Sequence, residues 1–373
     1  MKKVGIMTMQ RVINFGSFLQ AYSLKKIYER LGHNVQFVDF KKGPVLSEAK
    51  SDKSRKINII KNFVISMKAT RLYRYKKMRK NHLKVSNEYL KLTKGPNYTP
   101  SIDLLVIGSD EVFNCLQGNP NIGYSVDLFG NNQSNAKVIA SYAASFGNCN
   151  VEKLKANNLD KEVASSLKNN FKCISVRDEN SYNTVYELSG IKPVINVDPV
   201  FLSSFDEELK NNPIKKYDFD YIAIYAYTGR IKKDEVKKIK QFAKNNHLKI
   251  VIVGYPQSFG DKYFTGNPFQ ILNVMKGAKF VITDTFHGSV FSIKYNIPFV
   301  TIIRKDSDEA NGQGNKQKLS YLLKVFGLSN RELISFDLLN SLYSTPIDFT
   351  SVNKVIEFES NKGKEYLESL IKE

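Results

Sequence analysis

Residues 3–40 read KVGIMTMQRVINFGSFLQAYSLKKIYERLGHNVQFVDF, and this stretch decides the fold. Lys3–Met9 is an apolar, strand-like run. The turn Asn14-Phe15-Gly16-Ser17 follows it. Phe18, Leu19, Tyr22, Leu24, Ile27, Tyr28 and Leu31 then recur at helical spacing until Gly32 stops the pattern. Val35–Phe40 is the next strand. Strand, helix and strand in this order form a βαβ unit, whose crossover helix requires neighbouring strands to run parallel.

The same alternation continues outward. Asp103–Gly108, Val138–Phe146, Ile174–Val176 and Pro193–Val197 read as strands, and Val151–Leu167 as a helix. Ser203–Asp218 is polar, carries charge runs and Pro213, and reads as a linker. Beyond it come strands Asp220–Tyr227, Lys249–Tyr255, Phe280–Asp284 and Pro298–Ile303. Helices Lys233–Asn245, Pro268–Lys276, Gly288–Tyr295 and Lys316–Phe326 lie between and after them. The pattern predicts two doubly wound α/β domains facing each other across a cleft. Their expected limits are 1–203 and 219–335, with a helical tail over 336–373. Ligands of open α/β sheets bind beyond the carboxyl ends of the strands, so functional residues are expected just after each strand.

The chain has 373 residues, 42% hydrophobic and 25% charged, which is a globular composition with room for two cores. No apolar run approaches the ~18 residues of a membrane span. The opening residues Met1–Met7 lack the ~7–15-residue apolar stretch of a secretory signal. The three cysteines, Cys115, Cys149 and Cys173, have no metal-type spacing. A cytoplasmic protein is expected, without a metal. The formal charge of +20 calls for an anionic partner: nucleic acid, a membrane face or a phosphorylated substrate. Much of the excess lies in Lys50–Lys84, where Asp52 is the only acid and apolar residues recur at helical spacing. That segment is either a solvated helical face or a helix docked peripherally on an anionic bilayer. No zinc finger, aromatic RNA-binding signature or basic zipper accompanies the charge, so nucleic acid is not expected.

Thr283-Asp284-Thr285-Phe286-His287-Gly288-Ser289 is the strongest local signal. A buried strand gives way there to a helix, whose first amides and dipole favour an anion. His287 is a candidate general acid or base; alternatively His287 and Asp284 cap the helix and bond each other. Arg177 ends a strand and offers a fork for a carboxylate or phosphate, or else an ion pair with Asp178, Glu179 or Asp198. Ser109 and Asp110 follow another strand, and Asp110 would orient or deprotonate a hydroxyl, or cap the next helix. Asn14, Gly16 and Ser17 form a loop of the same kind. Arg230, after the first strand of the second half, is a further anion contact. His33, His82 and His247 sit in turn or basic contexts and are expected to be inert.

Taken in order, several of these pieces resemble the polysaccharide pyruvyl transferase family. They are Asn14–Phe40, DLLVIGSDEVFN at 103–114, SYAASFG at 141–147, SVRDENS at 175–181, VDPVFL at 197–202 and TDTFHGSVFSIKYNIPFVTI at 283–302. The resemblance spans about residues 4 to 330 and is carried by the ordered set rather than by any one piece. It implies a fold similar to the GT-B glycosyltransferases, and transfer of pyruvate from phosphoenolpyruvate to two hydroxyls of a sugar. The product would be a cyclic ketal on a cell-surface polysaccharide or its lipid-linked precursor, made without a cofactor. It also implies functional roles for the residues at His287 and Arg177. In some members an arginine stands two residues before that histidine, where this chain has Thr285; Arg230, Arg304, Lys316 and Lys318 are the candidates for that charge.

On this reading His287 protonates the donor, Asp110 or Asp284 accepts a hydroxyl proton, and Arg177 with the amides of His287, Gly288 and Ser289 binds the acid groups. The rival readings are a GT-B-type glycosyltransferase using a nucleotide sugar, and a non-enzymatic protein binding a membrane surface through Lys50–Lys84.

Overall fold

The computed structural model describes residues 1–46, 69–304 and 316–372, with side chains from residue 73 onward in the helix that starts at Ala69. These residues divide into two compact units. The first holds 1–46, 85–203 and 357–372; the second holds 69–84, 204–304 and 316–356.

The first unit is built on strands β1 (Lys3–Met7), β2 (Asn34–Phe37), β3 (Ile102–Asp110), β4 (Ala136–Ala144), β5 (Ser175–Val176) and β6 (Val194–Ile195). All pair in parallel, in the order β2-β1-β3-β4-β5-β6. Its helices are α1 (Phe15–Arg30), then, after the helix α2 (Ala69–Leu90), α3 (Val151–Ala156), α4 (Asp160–Asn170) and α5 (Glu179–Ser189). β1 and β3 are buried almost throughout, as near-continuous apolar strands of a covered parallel sheet should be. The chain leaves β1 for β2 on one side and returns to β3 on the other. The switch point of this sheet therefore lies beyond the carboxyl ends of β1 and β3.

The second unit repeats the plan. Helix α6 (Asp206–Asn211) leads into β7 (Tyr221–Tyr225), α7 (Lys233–Asn245), β8 (Lys249–Val253), β9 (Lys262–Phe264) and α8 (Pro268–Lys276). There follow β10 (Phe280–Thr283), α9 (Phe286–Lys294), β11 (Phe299–Ile302), α10 (Lys316–Val325), β12 (Glu332–Leu333), α11 (Leu339–Ser344) and α12 (Phe349–Lys372). The order β12-β11-β10-β7-β8-β9 is again parallel, with its reversal between β7 and β10. Each unit is thus a Rossmann-like sheet with flanking helices and its own apolar core.

Several details differ from the sequence expectation. The helix expected over Val151–Leu167 is two, because Asn158 adopts a left-handed backbone with φ 57°, which asparagine tolerates and which ends the first helix. The stretch expected to be a linker contains α6, whose Asp206, Glu207 and Glu208 suit the positive end of a helix dipole. The stretch 336–373 is not one separate tail. Its last residues belong with the first unit, where Tyr366 Oη donates to the Ser141 carbonyl at 3.0 Å. The basic segment expected over 50–84 lies outside the described residues as far as residue 68; from Ala69 it is the helix α2. Among the described residues no helix is long and apolar enough to cross a membrane.

Candidate functional site

At the switch point of the first sheet, three charged or polar side chains come together from separate elements. Ser17, in the first turn of α1, donates its hydroxyl to Asp110 Oδ2 at 2.5 Å. Asp110 ends β3 with φ 82°, a left-handed conformation that aspartate adopts more readily than most residues. Its Oδ1 accepts the Glu111 amide at 3.0 Å and lies 3.9 Å from Arg177 Nη2. Arg177 follows β5 and pairs more closely with Asp198, Nη1 to Oδ2 at 3.0 Å. Burial opposes the charge of this guanidinium, but Asp198, Asp110, Asp178 and Glu111 outweigh it and raise the pKa. Of the three acids proposed as its partner, Asp198 is the one in contact; Asp178 instead caps α5 and accepts from Ser145 Oγ at 2.6 Å.

Other expected members of this loop set have structural duties. Asn14 caps α1, its Oδ1 accepting the Gly16 and Ser17 amides at 2.8 and 3.2 Å. Those amides are therefore engaged within the chain. Ser109 is fully buried, donating its hydroxyl to the Ala143 carbonyl and its amide to Gln20 Oε1. Gln20 escaped the sequence reading. Its Nε2 donates to Thr8 Oγ1 at 2.7 Å and thereby ties α1 to β1 and β3 beneath Ser17 and Asp110. The signal was a glutamine inside an otherwise apolar helical face.

The second switch point holds a different set. Asp284, just after β10, is buried, and its Oδ1 accepts the Tyr227 amide at 3.0 Å. Arg230, in the loop after β7, places Nη1 3.8 Å from Asp284 Oδ2 and stacks its guanidinium 4.7 Å from the Tyr227 ring centre. Burial raises the pKa of Asp284, against the opposing pull of Arg230, the Tyr227 amide and Arg304. Arg230 keeps 23% of its side chain exposed. Arg304 is committed elsewhere: it grips Glu235 with both Nη atoms, at 2.5 and 3.0 Å, and donates to the Arg230 carbonyl at 2.8 Å. Lys316 and Lys318 open α10, the first exposed and the second half-buried. Of the four candidate cations, Arg230 is the one this geometry brings to the switch point beside Asp284.

Thr285 is the N-cap of α9, accepting the Gly288 amide at 2.9 Å, while the Ser289 amide bonds the Thr285 carbonyl at 3.3 Å. The Ser289 hydroxyl shares a hydrogen bond with Thr301 Oγ1 at 2.8 Å and is fully buried. The amides of Gly288 and Ser289, expected to hold an anion, are thus engaged by the helix's own first turn. Gly288 is dictated by packing, since a Cβ there would strike the hydroxyls of Thr283 and Thr285. His287 projects from the same turn, largely buried between the rings of Phe286 and Phe291. Gln257 also escaped the sequence reading: it donates to the carbonyls of Ala226 and Tyr227 and fixes the end of β7. Among the described residues, no group of three or more His, Cys, Asp or Glu is placed to hold a metal ion.

The family model for polysaccharide pyruvyl transferase matches residues 14–306, most of the chain and both switch points. The chain belongs to the polysaccharide pyruvyl transferase family. A comparison with curated proteins finds no match. Solved structures of similar fold include the UDP-GlcNAc 2-epimerase from Neisseria meningitidis bound to UDP-GlcNAc, at 10% identity, TM-score 0.46 and 100% coverage of each chain. Another is the glycotransferase of kitacinnamycin, at 10% identity and TM-score 0.47, covering 99% of this chain and 97% of that one. A third is the calicheamicin glycosyltransferase CalG4, at 12% identity and TM-score 0.46, covering 99% and 98%. These likenesses concern the fold alone. As a pyruvyl transferase family member, the protein carries at one switch point a carboxylate held by a hydroxyl and an arginine. At the other it carries a partly exposed arginine oriented by a buried aspartate and a tyrosine ring.

Proposed function

We propose that the protein transfers pyruvate from phosphoenolpyruvate to two hydroxyls of one sugar, forming a cyclic ketal and releasing phosphate. The acceptor is a cell-surface polysaccharide or its lipid-linked precursor, met at the cytoplasmic face of the membrane. The observation that carries this reading is the family match across residues 14–306.

The chemistry sets the demands on the residues. Phosphoenolpyruvate bears a phosphate and a carboxylate, so it needs cations at fixed positions. A proton delivered to C3 makes C2 electrophilic. One sugar hydroxyl adds to C2 and gives up its proton; the second then displaces phosphate and gives up its own. One of these protons replaces that spent on C3 and the other leaves with the phosphate, so the reaction balances without a cofactor. In the second unit, Arg230 supplies the charge for the donor's acid groups. His287 supplies the proton to C3 as the general acid. In the first unit, Asp110 accepts a hydroxyl proton, with Ser17 and Arg177 holding its carboxylate in place. Asp284 fixes Arg230 and is a positioning residue.

The test is purified protein incubated with phosphoenolpyruvate and lipid-linked or model glycosides, followed for released phosphate and for a pyruvylated product mass. A parallel arm with nucleotide sugars is included. Consumption of a nucleotide sugar, with no phosphate released from phosphoenolpyruvate, would overturn the proposal.

A further inference from the structure

We infer that one face of α2 is a docking surface for an anionic lipid bilayer. Tyr73, Lys76, Lys77, Lys80, Leu83 and Lys84 are all exposed. Their spacing of three and four residues puts them on one helical face, about 16 Å long from Tyr73 to Lys84. Arg79, also exposed, flanks it. Met78, His82, Val85 and Ser86 form the opposite, buried side, so the helix is fixed with its basic face outward. From Tyr73 to Asn87 the sequence has six Lys or Arg and no Asp or Glu. Between Tyr73 and Lys84 the face itself carries no acid; the first, exposed Glu88, lies one turn beyond Lys84.

A bilayer fits this face better than a nucleic acid does. Tyr73 and Leu83 are 68% and 41% exposed among the lysines. Tyrosine and leucine gain from entering the boundary between headgroups and acyl chains, whereas a phosphate ridge offers them nothing. Lysines one and two turns apart then lie at headgroup depth, each attracted to anionic lipid. Arg74 is half-buried with its guanidinium 4.6 Å from the Tyr263 ring centre, which ties the inner side of the helix to its own unit. This inference goes beyond the proposed reaction and does not depend on it.

The experiment is co-sedimentation of the full chain with vesicles of phosphatidylcholine alone and of phosphatidylcholine mixed with phosphatidylglycerol. The expected result is binding to the mixed vesicles that high salt reverses, and little binding to the neutral ones. Replacing Lys76, Lys77, Lys80 and Lys84 with Gln should lower partitioning onto the mixed vesicles by at least ~10²-fold, at about fivefold per charge. Tyr73→Ala with Leu83→Ala, which leaves every charge, should lower it by roughly tenfold. Equal binding to both vesicle types, or a four-lysine variant that binds like the parent, would overturn the inference. So would tighter binding to duplex DNA or RNA than to the mixed vesicles at the same salt. If the four-lysine variant fails to fold, the parent's salt response decides: salt-insensitive binding counts against the inference and salt reversal for it.

Discussion

Ser17 and Asp110 stand 93 residues apart in the chain, and the Ser17 hydroxyl reaches the Asp110 carboxylate at 2.5 Å. The contact joins the helix after β1 to the end of β3, across the point where the strand order of the first sheet reverses. Crevices of that kind are where open α/β sheets hold ligands. Asp110 has 17% of its side chain exposed, enough to meet a substrate hydroxyl, while Ser17 and Arg177 restrain its two oxygens. If Asp110 takes the proton, Asp110→Asn should lower phosphate release by ~10²–10⁴ at saturating substrates. Asparagine tolerates the left-handed backbone there, so thermal melting should confirm an intact fold. An unchanged rate would leave Asp110 with a structural part only.

Arg177 and Asp198 form a buried pair at 3.0 Å, with side chains 3% and 0% exposed. Arg177→Ala removes the closest cation and leaves Asp198 charged in the interior, which should cost about 3–5 kcal/mol in urea unfolding. Arg177→Met combined with Asp198→Asn removes both charges and should recover most of that loss. Equal destabilisation of the single and double variants would mean that the ion pair is not what holds this end of the sheet.

Gly288 packs against the strand end at Thr283, whose hydroxyl is already committed to the Tyr225 carbonyl at 2.6 Å. Thr285, the other obstacle, is committed as the helix cap. Neither can move aside cheaply, so Gly288→Ala should destabilise by about 1–3 kcal/mol, read as a lower denaturation midpoint. A neutral effect would mean that α9 shifts away from β10 more easily than this packing implies.

His287 sits in the first turn of the same helix, close in sequence to Asp284 but held by Phe286 and Phe291. His287→Ala should lower turnover by at least ~10² with the fold retained, measured as phosphate release beside a melting curve. His287→Gln, which keeps polarity but cannot deliver a proton, should fare no better. Parent-like turnover in either variant would remove the imidazole from the reaction.

The parallel, doubly wound plan was legible because strands buried on both faces are apolar throughout and their crossover helices are long. Asp110, Arg177, Asp284 and Arg230 were legible as charged residues just after such strands. Two things were not. β9 and β12, at three and two residues, are too short to carry a period. The duties of Asn14, Thr285 and Ser289 depend on contacts only three-dimensional placement reveals: the N-terminus of α9, read as an anion site, and that of α1, read as a substrate loop, are both capped by residues of their own turns. Gln20 and Gln257 were invisible for the same reason, since a glutamine's value lies in the carbonyls and amides it meets after folding.

The last prediction turns on Asp284, whose pKa burial raises above the ordinary 3.8. Below an unfolded value of about 3.9, folded and unfolded chains both hold the proton, and the group's contribution to stability is fully present. As pH rises toward the raised folded value, the unfolded chain releases its proton first and binds fewer than the native chain. Stability therefore falls through that window and levels off once both states are ionised. Asp284→Asn removes the titration while keeping an oxygen for the Tyr227 amide. The stability of the variant relative to the parent should therefore increase with pH across the carboxylate range and then reach a plateau. Urea unfolding of both proteins at a series of pH values reads this directly. A constant difference would mean that Arg230 compensates the buried charge fully, and that Asp284 is ionised in the folded protein as easily as in the unfolded one.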